Sequence, residues 1–434
     1  MQLPGVPVEL LQALVAAAEG RQVALVGGAV RDLLLHRVHN DPWRGLPDLD
    51  LVVEGTPAEI AADAPEQRPA PALAQRLCER LGPDQVPSIR EHGSFGTVEL
   101  ELRLPGAGTW LLDLASARQE SYPQPGENPV VRLGRLDDDL ARRDFSVNAI
   151  ALLLDADGHG VHLVDPHGGQ ADLAARQLRM LHGRSLRDDP TRLVRGARYA
   201  ARLGLALAPC SQDQARQTLA AWPWRWRAGD PPGSAPPALG TRLRMELELL
   251  LEREAWPDAL GALQHWGGLA LLDQRLQGDV HWRRRLHWAG RLGLPLPAAL
   301  LAGAEDPLAV AERMQIPHRQ HKLLAQWQEL AGRLAQAQPT WRPSQWCSFL
   351  EAPGLSPDAA ALALAAGSAR FRRPLLRWLL RWRHVKPPVS AADLIASGVR
   401  PGPALGQRLQ RDRAAVLDQP GMAAATLPTT EASP

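Results

Sequence analysis

The stretch Leu46-Pro47-Asp48-Leu49-Asp50-Leu51-Val52-Val53 decides how this 434-residue chain is interpreted. Its apolar residues predict a buried strand, and residues two apart on a strand point to the same side of the sheet. The carboxylates of Asp48 and Asp50 would therefore project together, where like charges repel and uncompensated burial is costly. A hard divalent cation with oxygen ligands, usually Mg²⁺, removes that cost.

A glycine-rich turn precedes this strand, in Val26-Gly27-Gly28-Ala29-Val30-Arg31-Asp32. Glycines let backbone N–H groups approach a phosphate at the start of a helix, and the absence of a GxGxxG pattern disfavours a dinucleotide fold. Arg31 falls in the first turn of the following helix, where it could reach a phosphate, whereas Asp32 is expected to orient an arginine or the helix start. Metal-binding carboxylates beside a phosphate cradle indicate nucleotidyl or phosphoryl transfer.

Bulk composition is that of an ordinary globular protein with more than one domain. The chain is too long for a single core, and 45% of its residues are hydrophobic and 22% charged. We find no apolar run long enough to span a membrane and no signal-peptide pattern at the N-terminus. The formal net charge of +2 does not identify a nucleic-acid binder, so such a hypothesis must depend on local clusters.

Cysteine and lysine usage are both informative. Cys78, Cys210 and Cys347 are scattered and form no CxxC pair, which argues against a disulfide framework or a zinc knuckle and favours a reducing cytoplasm. Only Lys322 and Lys386 are lysines. We interpret the arginine excess as the signature of a GC-rich genome, which does not stop individual arginines from binding phosphate.

Hydrophobic patterns divide the chain into an α/β part followed by a helical part. Strands are predicted over 22–27, 48–53, 86–90, 94–104 and 109–115, the last two forming a hairpin, and helices over 7–19, 29–37 and within 58–82. Helical patterns dominate from residue 170 and include 190–204 and 212–222. The stretch from Trp222 to Gly240 is rich in proline and glycine, which predicts a flexible insertion or linker.

Two further clusters complete a recognisable set of motifs. They are Asp139-Leu140-Ala141-Arg142-Arg143-Asp144-Phe145-Ser146-Val147-Asn148-Ala149-Ile150 and Ser185-Leu186-Arg187-Asp188-Asp189-Pro190-Thr191-Arg192-Leu193-Val194-Arg195-Gly196-Ala197-Arg198-Tyr199. With GGAVRD and DLD, they resemble the class II tRNA nucleotidyltransferase and bacterial poly(A) polymerase family. The resemblance spans about residues 21–205 and resumes weakly over 239–276, in Arg242-Leu243-Arg244-Met245-Glu246-Leu247.

The resemblance implies an α+β fold, with a polymerase-β-like nucleotidyltransferase head followed by all-helical neck, body and tail domains. The expected bounds are 1–155 for the head, 156–240 for a neck with a base-reading helix, 241–418 for a tRNA-binding body and tail, and 419–434 for a disordered end. The implied reaction is Mg²⁺-dependent addition of C and/or A to the tRNA 3′ end from CTP and ATP, without a nucleic-acid template, in the cytoplasm.

The resemblance also implies roles for individual residues. Asp48 and Asp50 would hold Mg²⁺. Contacts with the nucleotide are implied for Gly28, Arg31, Arg143, Asp189, Arg192, Arg195 and Arg198. Asp113 is either a third carboxylate on a neighbouring strand or a partner for Arg118.

The helix that begins near residue 190 has two interpretations. Asp189 followed by Pro190 is a good helix cap. Alternatively, Asp188 supplies the cap, while Asp189 accepts from the exocyclic amine of cytosine or adenine and rejects G and U, which present a carbonyl there. Arginines 192, 195 and 198 neighbour one another on the helix, and such crowding requires anions nearby. Asp144, at the border between a polar cleft and a core, is expected to brace an arginine.

Three other groups of residues are given less specific roles. The histidines 159, 162 and 167 are expected to be loop residues of a hairpin rather than metal ligands. The tryptophans 222, 224 and 226, interleaved with Arg225 and Arg227, either stack on RNA or pack the insertion itself. A basic helical segment that includes Trp378 and Trp382 is a candidate tRNA contact; its arginines are Arg372, Arg373, Arg377, Arg381 and Arg383.

The product of the reaction stays open at this point. Full CCA addition is the first hypothesis; A addition, CC addition and poly(A) synthesis share the same chemistry. The Pro-Gly-Glu-Asn-Pro segment at 125–129 is similar to A-adding and poly(A)-adding members as well as to CCA-adding ones. A catalytically silent RNA-binding protein is the alternative from a different class, and the presence of both Asp48 and Asp50 argues against it.

Overall fold

A computed structural model divides the chain into two compact units, residues 1–271 and 272–434. The described residues are 3, 5–43, 45–46, 48–64, 68–92, 96–106, 108–158, 160–367 and 369–420. His159 and residues 421–434 of the predicted disordered end lie outside them. The boundary expected near residue 240 falls inside the first unit, and the four-part organisation stays a prediction. Among the described helices, none has the length and apolar character needed to cross a membrane.

The first unit is built around a seven-stranded mixed sheet with the order β3-β4-β5-β2-β1-β8-β9. Strand β2 runs parallel to β5, and the other neighbouring strands are antiparallel. Two small sheets, β6–β7 and β10–β11, stand apart from it. The strands are β1 Val23–Val26, β2 Asp48–Val53, β3 Ser88–His92, β4 Thr97–Leu104, β5 Gly108–Ser116, β6 Arg118–Ser121, β7 Val130–Leu133, β8 Ala151–Leu154, β9 Val161–Val164, β10 Gln177–Leu178 and β11 Ala206–Leu207.

Helices cover the sheet and continue the first unit beyond it. They are α1 Val8–Ala18, α2 Gly28–His39, α3 Pro57–Ala62, α4 Pro69–Leu81, α5 Leu136–Ala141, α6 Gly169–Ala174, α7 Ser185–Asp188, α8 Thr191–Leu203, α9 Pro209–Ala221, α10 Thr241–Arg253 and α11 Trp256–His265. Short 3₁₀ turns occur at Ser146–Asn148, Pro232–Ser234, Pro237–Leu239 and Gly268–Leu271.

The second unit is helical throughout its described part. Its helices are α12 Gln274–Gln277, α13 Trp282–Arg291, α14 Leu296–Leu301, α15 Pro307–Arg313, α16 His318–Leu334, α17 Pro343–Leu350, α18 Pro357–Ala366, α19 Arg372–Leu380, α20 Ala391–Ala396 and α21 Pro403–Leu417, with 3₁₀ turns at Ala369–Phe371 and Trp382–His384. Trp346, Trp378 and Trp382 are buried in its core. The basic segment predicted from the sequence therefore keeps two tryptophans inside, while Arg372, Arg373, Arg381 and Arg383 are exposed.

The sheet and helix α5 share one hydrophobic core, which packs the motif that begins at Asp139 against the strand that contains Asp48 and Asp50. Val26 and Val52, on the adjacent strands β1 and β2, pack in the same cluster as Leu136, Leu140 and Ala149. Burial of these side chains stabilises the unit by removing apolar surface from water. The polar end of that motif, Arg142 to Asp144, is thereby held next to the aspartates of β2.

Most predicted elements are confirmed, including the strand at 48–53 and the β4–β5 hairpin. The sequence interpretation missed the β6–β7 hairpin. The prediction that residues 222–240 are a linker is wrong in that part of the segment is packed into the protein. Trp224 and Trp226 are buried, with only 3% and 7% of their surfaces exposed. Of the loop histidines, His162 lies on β9 and pairs with Asp155 at 2.7 Å.

Candidate active site

The aspartates of β2 meet a third carboxylate on the neighbouring strand. Asp50 is paired in register with Asp113 of β5, and Asp48 with Leu111. Asp48 is exposed, whereas Asp50 and Asp113 are half-buried. The predicted position of Asp113 on an adjacent strand is therefore confirmed. Arg118, considered as its alternative partner, pairs with Glu120 at 2.8 Å.

These carboxylates shift one another's titration. Burial raises the pKa of Asp50 to about 6, the negative charges of Asp113 and Asp48 add to the increase, and Arg143 opposes it. Burial, Asp48 and Glu99 raise the pKa of Asp113. The site thus concentrates negative charge that its cationic neighbours do not fully balance.

This donor set fits a divalent cation that is shared with a substrate. Carboxylate oxygens are the ligands that Mg²⁺ prefers, and proteins usually bind it through one or two carboxylates together with substrate phosphates. Within the described ranges, no group of three or more His, Cys, Asp or Glu side chains is arranged to hold a metal ion by itself. Asp48 and Asp50 would supply the protein ligands of such a site.

The glycine turn lies between Asp50 and Arg143. Gly27 has φ of 75°, and a Cβ built there would be 3.3 Å from both Asp50 Oδ2 and Arg143 Nη1. A side chain at this position would combine an unfavourable backbone conformation with crowding of two charged groups. Gly28 begins helix α2, whose first N–H groups have no helical partner and can bind an anion.

Arg31 is buried and is bonded to two side chains of the protein. Its guanidinium donates to Asp32 Oδ1 and to Asn148 Oδ1, both at 2.8 Å, and lies 5.2 Å from the centre of the Tyr199 ring. The expectation that Asp32 orients an arginine is confirmed. The contact of Arg31 with a nucleotide stays a prediction.

Arg142 and Arg143 are fixed by a fully buried carboxylate. Asp139 accepts from Arg142 Nη2 at 2.7 Å and from Arg143 Nη2 at 2.8 Å. Burial alone would raise the pKa of Asp139, but Arg143 and Arg142 outweigh it and the pKa lies below its usual range. The arginine beside Asp50 is therefore held in place by an ionised partner.

A cavity of about 620 Å³ connects these groups with helix α8. Its size is in the range of small-ligand sites. Of the predicted site residues, six line it, namely Gly28, Asp50, Arg143, Asp189, Arg192 and Arg195. The lining does not include Asp48, Asp113, Arg31 or Arg198.

Asp189 caps helix α8. Its Oδ1 accepts from Thr191 N at 3.0 Å and from Thr191 Oγ1 at 2.7 Å, while Oδ2 lies 2.9 Å from Arg242 Nη2. Burial would raise the pKa of Asp189, but Arg242 and the Thr191 hydroxyl lower it below its usual range. The bond to Thr191 N confirms the capping prediction, and Asp188 does not supply the cap, because it is the last residue of α7. The reading of a base by Asp189 stays a prediction.

Arg192 faces the same cavity with part of its donor capacity in use. It is 4% exposed and donates to the carbonyls of Arg142 at 2.8 Å and Ser185 at 3.5 Å. A guanidinium has five N–H donors, so others remain for a ligand. These two carbonyls fix the plane of the group.

The crowding of arginines on α8 is relieved by carboxylates of the protein itself. Arg195 pairs with Asp144 at 3.0 Å, which raises the pKa of Arg195 well above its ordinary value and confirms Asp144 as a brace. Arg198 pairs with Glu246 at 2.5 Å and with Glu254 at 3.4 Å. The anions that the pattern required are thus side chains, and Arg198 joins α8 to α10.

Several site residues escaped the sequence interpretation. Glu120, on β6, accepts from Arg118, Arg142 and Tyr122, and both Glu120 and Tyr122 line the cavity. No local pattern identifies them, since they lie outside the recognised motifs. Helix α10 adds Arg242, Met245 and Glu246, and the weak resemblance over 239–276 was the available signal.

Comparisons with known proteins agree with this geometry. The model of the poly A polymerase head domain matches residues 23–179. The CC-adding tRNA nucleotidyltransferase of Deinococcus radiodurans is 35% identical over 398 residues, which cover 91% of this chain and 84% of the relative. The chain belongs to the tRNA nucleotidyltransferase family.

Other members of the tRNA nucleotidyltransferase family match over shorter stretches. The A-adding tRNA nucleotidyltransferase of Halalkalibacterium halodurans is 42% identical over 180 residues, or 41% of this chain and 35% of that relative. A solved CCA-adding enzyme in its apo form II has the same fold, with a TM-score of 0.67 and 23% identity over 95% of this chain and 92% of the other. The predicted α+β head with a helical remainder is confirmed.

Proposed function

We propose that this nucleotidyltransferase adds cytidylate residues to the 3′ end of tRNA, building the CC of the CCA terminus from CTP with release of pyrophosphate. One observation carries the proposal. The CC-adding relative matches 91% of the chain, whereas the A-adding relatives match 41–58% of it and the multifunctional CCA proteins match 42–66%. Similarity that continues into the helical second unit supports a shared product more strongly than similarity confined to the head. The head contains the catalytic residues that the whole family shares.

The proposed chemistry uses Asp48 and Asp50 as ligands of Mg²⁺. When bound, the ion would supply activation of the primer 3′-OH and neutralisation of the leaving pyrophosphate. The N–H groups at the start of α2 and the guanidinium of Arg143 would bind the triphosphate. Asp139 Oδ2 lies 2.8 Å from Arg143 Nη2 and holds this guanidinium in place before the nucleotide binds. Less conformational entropy of Arg143 is then lost on binding.

Base selection is assigned to the start of helix α8. Oδ1 of Asp189 is occupied by Thr191, so the remaining lone pair of Oδ2, beside Arg242, would accept from the 4-amino group of cytosine. Arg192 would donate to a ring acceptor. Uracil presents a carbonyl where cytosine has the amine, so it would meet a carboxylate with no donor and be rejected. The low pKa of Asp189, in which Arg242 and Thr191 overcome the effect of burial, keeps it an acceptor.

The partners and location complete the proposal. tRNA would contact the second unit through the exposed arginines 372, 373, 381 and 383, since arginine suits phosphate recognition. Cys78, Cys210 and Cys347 are free thiols, which supports work in the reducing cytoplasm.

A three-substrate assay tests the proposal. Purified protein is given tRNAs that end before CCA, after the first C and after CC, each with CTP, ATP or both. We expect C incorporation on the first two and none on the third. A incorporation confined to the CC-ended tRNA would indicate an A-adding enzyme, and activity only on generic RNA would refute tRNA specificity. Asp48→Asn should be inactive, whereas Asp84→Asn, at an exposed turn, serves as the matched control.

A further inference from the structure

Residues 222–240, here called the Trp-Pro segment, form a compact structure of their own. Trp222 Nε1 donates to the carbonyl of Trp226 at 2.6 Å, and Trp226 Nε1 donates to that of Pro231 at 3.2 Å. The rings of Trp222 and Trp224 meet edge to face, with centroids 5.0 Å apart. Two of the three tryptophans are buried, so the indoles mainly pack the protein instead of forming an open stacking surface.

The Trp-Pro segment is bonded to helix α7 and to the loop of the β6–β7 hairpin, whose neighbouring residues line the nucleotide cavity. Trp224 Nε1 donates to the carbonyl of Arg187, in α7, at 3.0 Å. On the other side, Ala238 N donates to the carbonyl of Gly126 at 3.1 Å, and Gly126 N donates to that of Asp188, also at 3.1 Å. Gly126 belongs to the loop of the β6–β7 hairpin, so three parts of the chain converge on one point.

The contact between the hairpin loop and Trp224 requires glycine at position 126. Its φ is +79°, and a Cβ there would lie 2.9 Å from Trp224 Cδ1 and 3.3 Å from Pro236 Cγ. A side chain would therefore be strained by the backbone and would also displace the indole. The hairpin loop can approach Trp224 this closely because residue 126 is glycine.

Both sides of this contact reach the cavity. Tyr122, Asn128 and Pro129 of the hairpin loop line the cavity, and so do Asp189, just before α8, and Arg192 in its first turn. Asp189 follows directly after α7, to which Trp224 is bonded. The contact of Trp224 with Gly126 thus connects the hairpin loop to the helix that directly precedes Asp189.

We propose that Trp224 is a positioning residue that fixes the width of the nucleotide cavity and thereby favours cytosine over adenine. The proposal rests on the assigned function as a C-adding enzyme. Cytosine and adenine both carry an exocyclic amine, so a carboxylate such as Asp189 cannot separate them. A purine is larger by one fused ring, and a wall held at fixed distance can exclude it by shape.

Trp224→Phe tests the proposal because it keeps an aromatic ring and removes the N–H bonded to Arg187. Losing one such hydrogen bond changes an equilibrium constant by about threefold to tenfold. We expect the ratio of kcat/KM for CTP to kcat/KM for ATP to fall by this factor and KM for CTP to rise. Trp222→Phe is the matched control, since it loses an indole N–H bonded only within the segment. It should leave the ratio unchanged, while both variants lose similar thermal stability.

Gly126→Ala perturbs the same contact from the hairpin side and should lower the CTP-to-ATP ratio as Trp224→Phe does. If both variants lose stability but keep the ratio within twofold of Trp222→Phe, Trp224 is a packing residue and the proposal is wrong. Should one variant fail to fold, the other decides by the same criterion. Wild-type protein that prefers ATP would refute the C-adding function, and the change of ratio in Trp224→Phe would still report on the contact.

Discussion

Replacing Asp50 with Asn should stabilise the metal-free protein while abolishing nucleotide incorporation. Burial and the nearby carboxylates raise the pKa of Asp50 from 3.8 to about 6. At 1.36 kcal/mol per pKa unit, ionising Asp50 in the folded state costs up to about 3 kcal/mol. Because the side chain is only half-buried, solvent screening reduces this cost, and we expect a gain of about 1–2 kcal/mol in Asp50→Asn at neutral pH.

The sign of the pH dependence follows from the raised pKa. The folded state binds a proton at Asp50 more tightly than the unfolded chain does, so the contribution of Asp50 to wild-type stability falls as pH rises from near 3.8 through about 6 and is then constant. The advantage of Asp50→Asn should therefore grow over that window and stay level above it.

Urea denaturation in the presence of EDTA, followed by a probe of the first unit, measures this difference at several pH values. Asp84→Asn, in an exposed turn, is the control and should show no advantage at any pH. An Asp50→Asn protein no more stable than wild type at neutral pH, or one whose advantage does not vary with pH, would refute the claim of undercompensated charge. If Asp50→Asn also fails to incorporate nucleotides, its loss of activity cannot be attributed to a loss of stability.

Three further substitutions test other parts of the site. Asp144→Ala leaves Arg195 without its buried partner and should destabilise the protein by about 1–3 kcal/mol in urea, because the Arg195 side chain is 38% exposed and solvent takes up part of its charge. A cost below about 1 kcal/mol would contradict the bracing role. Asp189→Asn should still cap α8 but lose about 1–3 kcal/mol of stability, because Arg242 loses its charged partner. It should incorporate UMP more readily in a competition assay, since an amide can donate to the uracil carbonyl; unchanged selectivity would favour capping alone. Gly27→Ala should cost about 1–2 kcal/mol of backbone strain and lower kcat/KM at least tenfold by crowding Asp50; near-normal kinetics would exclude close approach at the turn.

The local parts of the site were predictable from sequence because their causes are local. The alternation Asp48-Leu49-Asp50-Leu51 predicts a strand with both carboxylates on one side, and β2 has the expected bounds. Asp189 before Pro190 predicts a cap, which the bond to Thr191 N confirms. In each case the chemistry is decided by residues within a few positions of one another.

Long-range partners could not be predicted in the same way. Arg198 is separated by 48 residues from Glu246, with which it pairs, and no spacing rule connects them. The pattern indicated that the arginines of α8 need anions, but it could not distinguish a bound nucleotide from carboxylates on another helix. Proline and glycine content suggested a linker at 222–240, whereas the buried indole of Trp224 and its bond to the Arg187 carbonyl decide that structure.

The product made from a tRNA that ends before CCA tests the central claim most directly. The purified protein is supplied with Mg²⁺, CTP and ATP at equal concentration, and the mass of the extended tRNA is determined. We predict the addition of two cytidylates and no adenylate, with no extension when Asp48 is replaced by Asn. Addition of a terminal adenylate, a poly(A) tail, or a product from the Asp48→Asn protein would contradict the account.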